Sequence, residues 1–285
     1  MERTRVNGVE LEYEVKGSGE GVLLLHGGLL PDENTPLMSE PALVDSYRVL
    51  NYHRRGFAGS EHPEGQAQIE DQVADARALL AEVGLERVHV VGHSLGGVIG
   101  VQLALENPEM VHSLALLEPA LMGAFAKSQA SPEAAAQSQQ EFRDGMARVN
   151  EIFETGDRRG ALLAFLETRA GGAFREVLDW LTETGEFDQA VADADTFLQV
   201  EMPAAYRWNF TPEHAKQITQ PVLSVLGVQS PERAQKVHEI LKKWVPQTQE
   251  VFLENAEHAL PLMDPPGIAK TLADWLARNP MPVRA

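Results

Sequence analysis

Residues 10–16 alternate polar and apolar side chains, the two-residue period of a half-exposed strand, and they follow the turn pair Asn7-Gly8. The opening of the chain therefore reads as a hairpin. The pattern then changes to short, continuous apolar runs: Val22–Leu25, Val88–Val91, Leu114–Leu117 and Pro221–Leu226, with Tyr47–Tyr52 a weaker member and Val251–Leu253 the last. A strand that is apolar on both faces is buried on both faces, as in a parallel sheet covered by helices. Between these runs the period becomes helical. Residues 67–83 set Ile69, Val73, Ala76, Leu80 and Val83 on one side, and Gly84 supplies a stop. Segments 95–106, 231–244 and 266–278 are the other crossover helices, so the pattern predicts an α/β sheet.

Residues 121–217 interrupt that rhythm. They carry helical patterns over 132–154, 158–170, 173–184 and 188–202 and hardly any strand-like run. The expected organisation is one core, residues 1–120 and 218–285, with residues 121–217 inserted as a helical cap over the strand ends. Residues 128–140, rich in Ser, Ala and Gln, are expected to be a mobile entry to that cap, and Gly171-Gly172 a place where its helices shift.

The composition narrows the function. The chain has 285 residues, 44% of them apolar, with a net charge of −18. Such a charge repels phosphate backbones and anionic lipid surfaces, so neither a nucleic acid nor a membrane is expected as partner. With no cysteine, disulfides, thiolate metal sites and thiol nucleophiles are excluded. No signal-like or membrane-spanning apolar stretch is visible, and the expected location is the cytoplasm. Neither a metal constellation nor Gly-x-Gly-x-x-Gly occurs, so no metal and no cofactor are expected.

The strongest chemical signal is Gly92-His93-Ser94-Leu95-Gly96-Gly97, a Gly-x-Ser-x-Gly pattern between an apolar strand and a helical segment. A nucleophile on so tight a turn needs small neighbours, which Gly92 and Gly96 provide. The helix N-terminus behind Ser94 favours developing negative charge. The second signal is His26-Gly27-Gly28-Leu29, a glycine-rich loop at a strand end. Acyl transfer needs donors aimed at the forming oxyanion. The N–H of Leu95 and that of Gly28, or else of Leu29, fit this need, with His26 shaping the loop. A serine needs a base. Of the nine histidines, His258 alone lies in a loop after the last strand, on the carboxyl edge that also carries Ser94. His93 is expected to point away from its neighbour.

These motifs, together with Arg54-Arg55-Gly56-Phe57-Ala58-Gly59-Ser60, resemble the α/β-hydrolase fold family over nearly the whole chain. The resemblance implies a mostly parallel eight-stranded sheet flanked by helices, with the cap after strand six. It also implies a triad acid after strand seven in a Gly-x-x-Asp pattern, and there this chain has Ser230. Some members, a group of haloalkane dehalogenases among them, carry the acid after strand six, where this chain has Glu118. Glu232, or an arrangement without a direct acid, stays open as the alternative. Family dehalogenases and epoxide hydrolases need a carboxylate at the elbow, so Ser94 points instead to acyl chemistry on a small ester-like substrate, possible thioesters and lactones included. Carbon–carbon bond hydrolysis, peracid formation and lyase chemistry use the same motifs, and a non-catalytic ligand-binding member is the third option. Leu29, Tyr206 and Trp208 are the candidate substrate contacts. The oligomeric state is not legible.

Overall fold

The computed structural model describes residues 1–121, 132–169, 174–254 and 256–282. The opening hairpin forms as β1 (Glu2–Val6) and β2 (Val9–Lys16), and the apolar runs become β3 (Glu20–Leu25), β4 (Tyr47–Tyr52), β5 (Val88–His93), β6 (Val111–Leu117), β7 (Val222–Gly227) and β8 (Thr248–Leu253). They make one eight-stranded sheet in the order β1-β2-β4-β3-β5-β6-β7-β8. The β1–β2 and β2–β4 pairs are antiparallel and the remaining pairs parallel. Every residue of β5 and β7 is buried, as continuous apolar strands require. β8 departs from the expected buried strand. Among the described residues it is the last strand of the sheet, without a partner on its outer side, and Phe252 is 49% exposed.

Helices cover both faces. On one face lie α2 (Ile69–Glu82) and α3 (Leu95–Glu106), joined later by the helix Glu232–Trp244. Ile69, Val73, Ala76 and Leu80 pack with Val98, Ile99, Val237, Ile240 and Leu241. The predicted stop is real, since Gly84 has φ +71°. On the other face α1 (Pro41–Val44) and the helix Pro265–Arg278 set Leu43, Ile268, Leu272 and Trp275 against Val22, Val49 and Val225.

Between β6 and β7 run α4 (Pro132–Glu154), α5 (Arg158–Arg169), α6 (Phe174–Thr184), α7 (Glu186–Ala192), a π-helical turn (Thr196–Glu201), α8 (Met202–Arg207) and α9 (Pro212–Ala215). Their apolar side chains, among them Val149, Phe153, Leu162, Leu181, Phe187 and Phe197, form a cluster of their own. That cluster closes on Leu30 and Phe57, from the loops after β3 and β4. The insertion thus sits on the carboxyl edge of the sheet. Two local expectations change. From Pro132 onward the segment read as a mobile entry is helical, about the first two and a half turns of α4, while residues 128–131 and Gly171-Gly172 lie outside the described residues. The helix expected over 188–202 does not run through: α7 ends at Ala192, capped by Asp193, and the turns that follow do not keep the α-helical ladder. The Met202 N–H reaches back to the Phe197 carbonyl in a π-turn instead.

After β7 the remaining helices are α10 (Glu232–Trp244), α11 (Leu260–Met263) and α12 (Pro265–Arg278). Among the described residues no helix is long and apolar enough to cross a membrane.

Candidate active site

Ser94 sits between β5 and α3 with φ +49° and ψ −112°, a backbone conformation costly for any residue with a Cβ. The glycines around it make room. A Cβ on Gly92 would lie 2.5 Å from the Gly96 carbonyl oxygen, and one on Gly96 would lie 2.1 Å from the Leu25 carbonyl oxygen. Hydrogen bonds across the sheet edge hold the turn: Ser94 N–H to Leu117 O at 3.0 Å and Ala120 N–H to Ser94 O at 2.9 Å.

Glu118 follows β6 and also has a positive φ, +45°. Its Oε2 accepts from His258 Nδ1 at 2.9 Å, and His258 Nε2 lies 3.2 Å from Ser94 Oγ. Because the carboxylate oxygen can accept but not donate, Nδ1 carries the proton and Nε2 turns its lone pair to the serine hydroxyl. Oε1 of Glu118 accepts from Gly227 N–H at 2.9 Å and from the Ser230 hydroxyl. Ser230, the residue standing where the family acid is expected, thus donates its hydroxyl to Glu118, a contact its sequence position did not disclose. Glu232 is exposed and pairs with Lys236.

Burial pushes the Glu118 carboxyl up, but the bonds from His258, Ser230 and Gly227 outweigh it and hold the carboxyl below its ordinary value of 4.5. A depressed carboxyl stabilises the fold above its unfolded pKa, and that stabilisation is lost as pH falls through the folded value. Ser230→Ala should therefore cost about 1–3 kcal/mol near neutral pH, the worth of a hydrogen bond to a charged group. The cost should shrink on acidification. Urea midpoints of both proteins across an acid pH series check this, and a cost independent of pH would contradict it.

The loop after β3 approaches the same point. Gly27 N–H donates to Glu33 Oε1 at 2.6 Å, and the Gly27 carbonyl accepts from Arg54 and from His26 Nδ1, each at 2.7 Å. His26 Nε2 accepts from the Arg54 N–H at 3.1 Å. Burial, with Arg54 nearby, keeps His26 neutral, its pKa well below the usual value. It is a brace of the loop. The N–H groups of Gly28 and Leu95 have no acceptor among the described residues.

A model of the alpha/beta hydrolase fold matches residues 21–265. The chain belongs to the α/β-hydrolase fold family. Among solved structures, this α/β-hydrolase superposes with a TM-score of 0.74 on a thermophilic esterase from Thermogutta terrifontis, at 21% identity over 98% of this chain and 99% of that one. An N-acyl homoserine lactone degrading enzyme, Est816, gives 0.73 at 21% identity over 96% and 100% of the two chains. Both are likenesses of fold. In sequence the chain is 37% identical to a fluoroacetate dehalogenase of Burkholderia sp over 120 residues, 40% of this chain and 38% of that protein. The chain thus aligns with well under half the length of that relative.

His93 of this α/β-hydrolase turns away from Ser94, and its ring has two acceptors: Glu33 Oε1 at 2.7 Å from Nδ1 and the His258 carbonyl at 2.6 Å from Nε2. Facing acceptors on both nitrogens, the ring is held as an imidazolium. Burial opposes its charge, but Glu33, the His258 carbonyl and Glu118 outweigh this and raise its pKa above 6.5. The stabilisation is therefore present below the unfolded pKa and is lost as pH rises through the folded one. His93 and Glu33 tie the His258 loop to the loop after β3. Glu33 was not legible from local pattern, since its partners lie 6 and 60 residues away.

The candidate substrate contacts divide. Leu29 is half-buried and packs against the insertion's apolar cluster. Tyr206 is 42% exposed, and Arg143 of α4 acts electrostatically on its hydroxyl. Trp208 is buried. It is 8% exposed, stacks on Phe210, and donates its indole N–H to Gln102 at 2.8 Å. Gln102 lies two turns along α3 from Ser94, about 12 Å at 1.5 Å per residue. Trp208 packs the foot of the insertion onto the core, because its ring follows the buried face at the return to β7.

Proposed function

We propose that this α/β-hydrolase cleaves small, moderately apolar carboxylic esters through an acyl-enzyme, thioesters and lactones belonging to the same chemistry. The observation that carries the reading is the unbroken hydrogen-bonded chain from Glu118 through His258 to Ser94 Oγ, with links of 2.9 and 3.2 Å. Ser94 Oγ attacks the carbonyl carbon while its proton passes to His258 Nε2, and the carbonyl electrons move onto oxygen. The N–H groups of Gly28 and Leu95 receive that oxyanion. The carbonyl then re-forms and the alcohol leaves with the proton from His258. Water, deprotonated by the same nitrogen, repeats the attack on the acyl-serine and releases the acid. Glu118 holds the tautomer and offsets the imidazolium charge. Every atom comes from serine, histidine, substrate and water, so the scheme calls for no cofactor.

The dehalogenase relative does not carry its activity across, since displacement at carbon in this fold needs a carboxylate where Ser94 stands. A half-buried Leu29 beneath an apolar insertion suits a substrate of modest polarity. With p-nitrophenyl acetate and butyrate, the expected result is a burst of about one nitrophenol per enzyme molecule followed by steady turnover. Release no faster than in buffer would contradict the reading.

A further inference from the structure

The Gly27 carbonyl and the Gly28 N–H belong to one peptide group, and in a trans peptide they point in opposite directions. The carbonyl is turned to Arg54, 2.7 Å away, and also accepts from the adjacent His26 Nδ1 at the same distance. Arg54 follows β4, and Ser94 follows β5. In the sheet order β4-β3-β5 these two strands flank β3, whose loop carries the peptide. A carbonyl directed to the β4 side therefore directs the Gly28 N–H to the β5 side, where Ser94 lies.

Arg54 does not stand alone. It is fully buried and forms a two-pronged ion pair with Glu201, which is 3% exposed; one prong, from Nη2 to Oε2, measures 3.1 Å. Glu201 also accepts from Gln72 Nε2 at 3.1 Å. Glu201 ends the π-turn of the insertion, 147 residues from Arg54, and Phe197 at the start of that turn covers Gly28. A Cβ on Gly28 would lie 2.6 Å from the Phe197 ring. A Gly-Gly peptide has few steric barriers to turning over, so its orientation has to be imposed from outside.

We propose that the buried Arg54–Glu201 pair positions the oxyanion donor, fixing the Gly27–Gly28 peptide so that the Gly28 N–H faces Ser94. Because Glu201 comes from the insertion, the donor is aimed only when the insertion is seated on the sheet edge. The inference rests on the ester-hydrolase reading above, in which Gly28 receives the oxyanion. Arg54 and Glu201 are positioning residues and touch no reacting atom.

Removing one partner leaves an unpaired buried charge, whereas replacing both with apolar side chains is often tolerated. The test is therefore the double variant Arg54→Met/Glu201→Met, with Glu201→Gln as a second protein. Activity against p-nitrophenyl butyrate and inhibition by an alkyl trifluoromethyl ketone, whose serine adduct places an oxyanion in the hole, are measured for both. Loss of a whole oxyanion donor costs roughly 10²–10³ in rate, so the double variant should lose about 30-fold in kcat or more. KM should change by less than about threefold, and the ketone's affinity should fall by the same factor as kcat. Glu201→Gln, which keeps an acceptor but loses the charge, should lose about fivefold in both. A folded double variant with kcat and ketone affinity near wild type would overturn the proposal. If that protein does not fold, unchanged values in Glu201→Gln would do so. Loss of kcat without parallel loss of ketone affinity also counts against it. If wild type itself does not turn over the ester, or Ser94→Ala still does, the hydrolase reading fails instead.

Discussion

Ser94→Ala is expected to lose nearly all ester turnover, with kcat/KM falling by about 10⁴-fold or more, some 5.5 kcal/mol of transition-state stabilisation. Alanine tolerates the elbow's φ of +49° no better and no worse than serine, since both carry a Cβ, so the fold is expected to stand. What disappears is the oxygen 3.2 Å from His258 Nε2. The residual rate reflects polarisation of the carbonyl by the Gly28 and Leu95 donors and attack by water, which in comparable enzymes leaves activity well above the uncatalysed rate. Steady-state kinetics on the purified variant, with its thermal midpoint within about two degrees of wild type, checks this. Retention of a tenth of the activity would move the nucleophile elsewhere.

Glu118→Gln should be nearly as damaging, for a reason read from its hydrogen bonds. Oε1 receives two donors, Gly227 N–H and the Ser230 hydroxyl, so the amide oxygen of the glutamine takes that position. The amide NH2 then falls where Oε2 was, 2.9 Å from His258 Nδ1. Facing a donor, His258 has to present a lone pair at Nδ1 and carry its proton on Nε2, and the nitrogen turned to Ser94 is then no longer a base. The amide replacement of a serine-protease aspartate, which enforces the same wrong tautomer, costs roughly 10⁴ in kcat. A loss of about 10³–10⁴ with stability largely retained is expected here. A loss below about threefold would mean that another group orients the histidine.

The parts of this site that were legible are those fixed by local pattern. Continuous apolar runs marked the parallel strands because burial on both faces leaves no place for polar residues. The elbow was legible because a strained turn excludes side chains at Gly92 and Gly96, whereas Glu118 was reached through the resemblance to family members that carry the acid after strand six. What stayed hidden was pairing at long range. Arg54 reads as a loop arginine and Glu201 as a helical glutamate, and nothing periodic links residues whose burial depends on each other. Glu33 was hidden in the same way. Ser230 looked like a loss of the acid, whereas its hydroxyl, seated beside a carboxylate from the neighbouring strand, contributes to holding that acid ionised. Trp208 was legible only as an aromatic residue near the insertion's return, a position that suits a pocket and a packing joint equally well. The direction of its ring is set by tertiary contacts with Phe210 and Gln102.

The most direct measurement is the intact mass of the protein after brief exposure to a fluorophosphonate, followed by peptide mapping of the adduct, for wild type and His258→Ala. A single phosphonyl group on the peptide containing Ser94, formed rapidly in wild type and slower by about 10³-fold or more without the imidazole, is the expected outcome. An unmodified Ser94, or labelling equally fast in the absence of His258, would contradict an activated serine at this elbow.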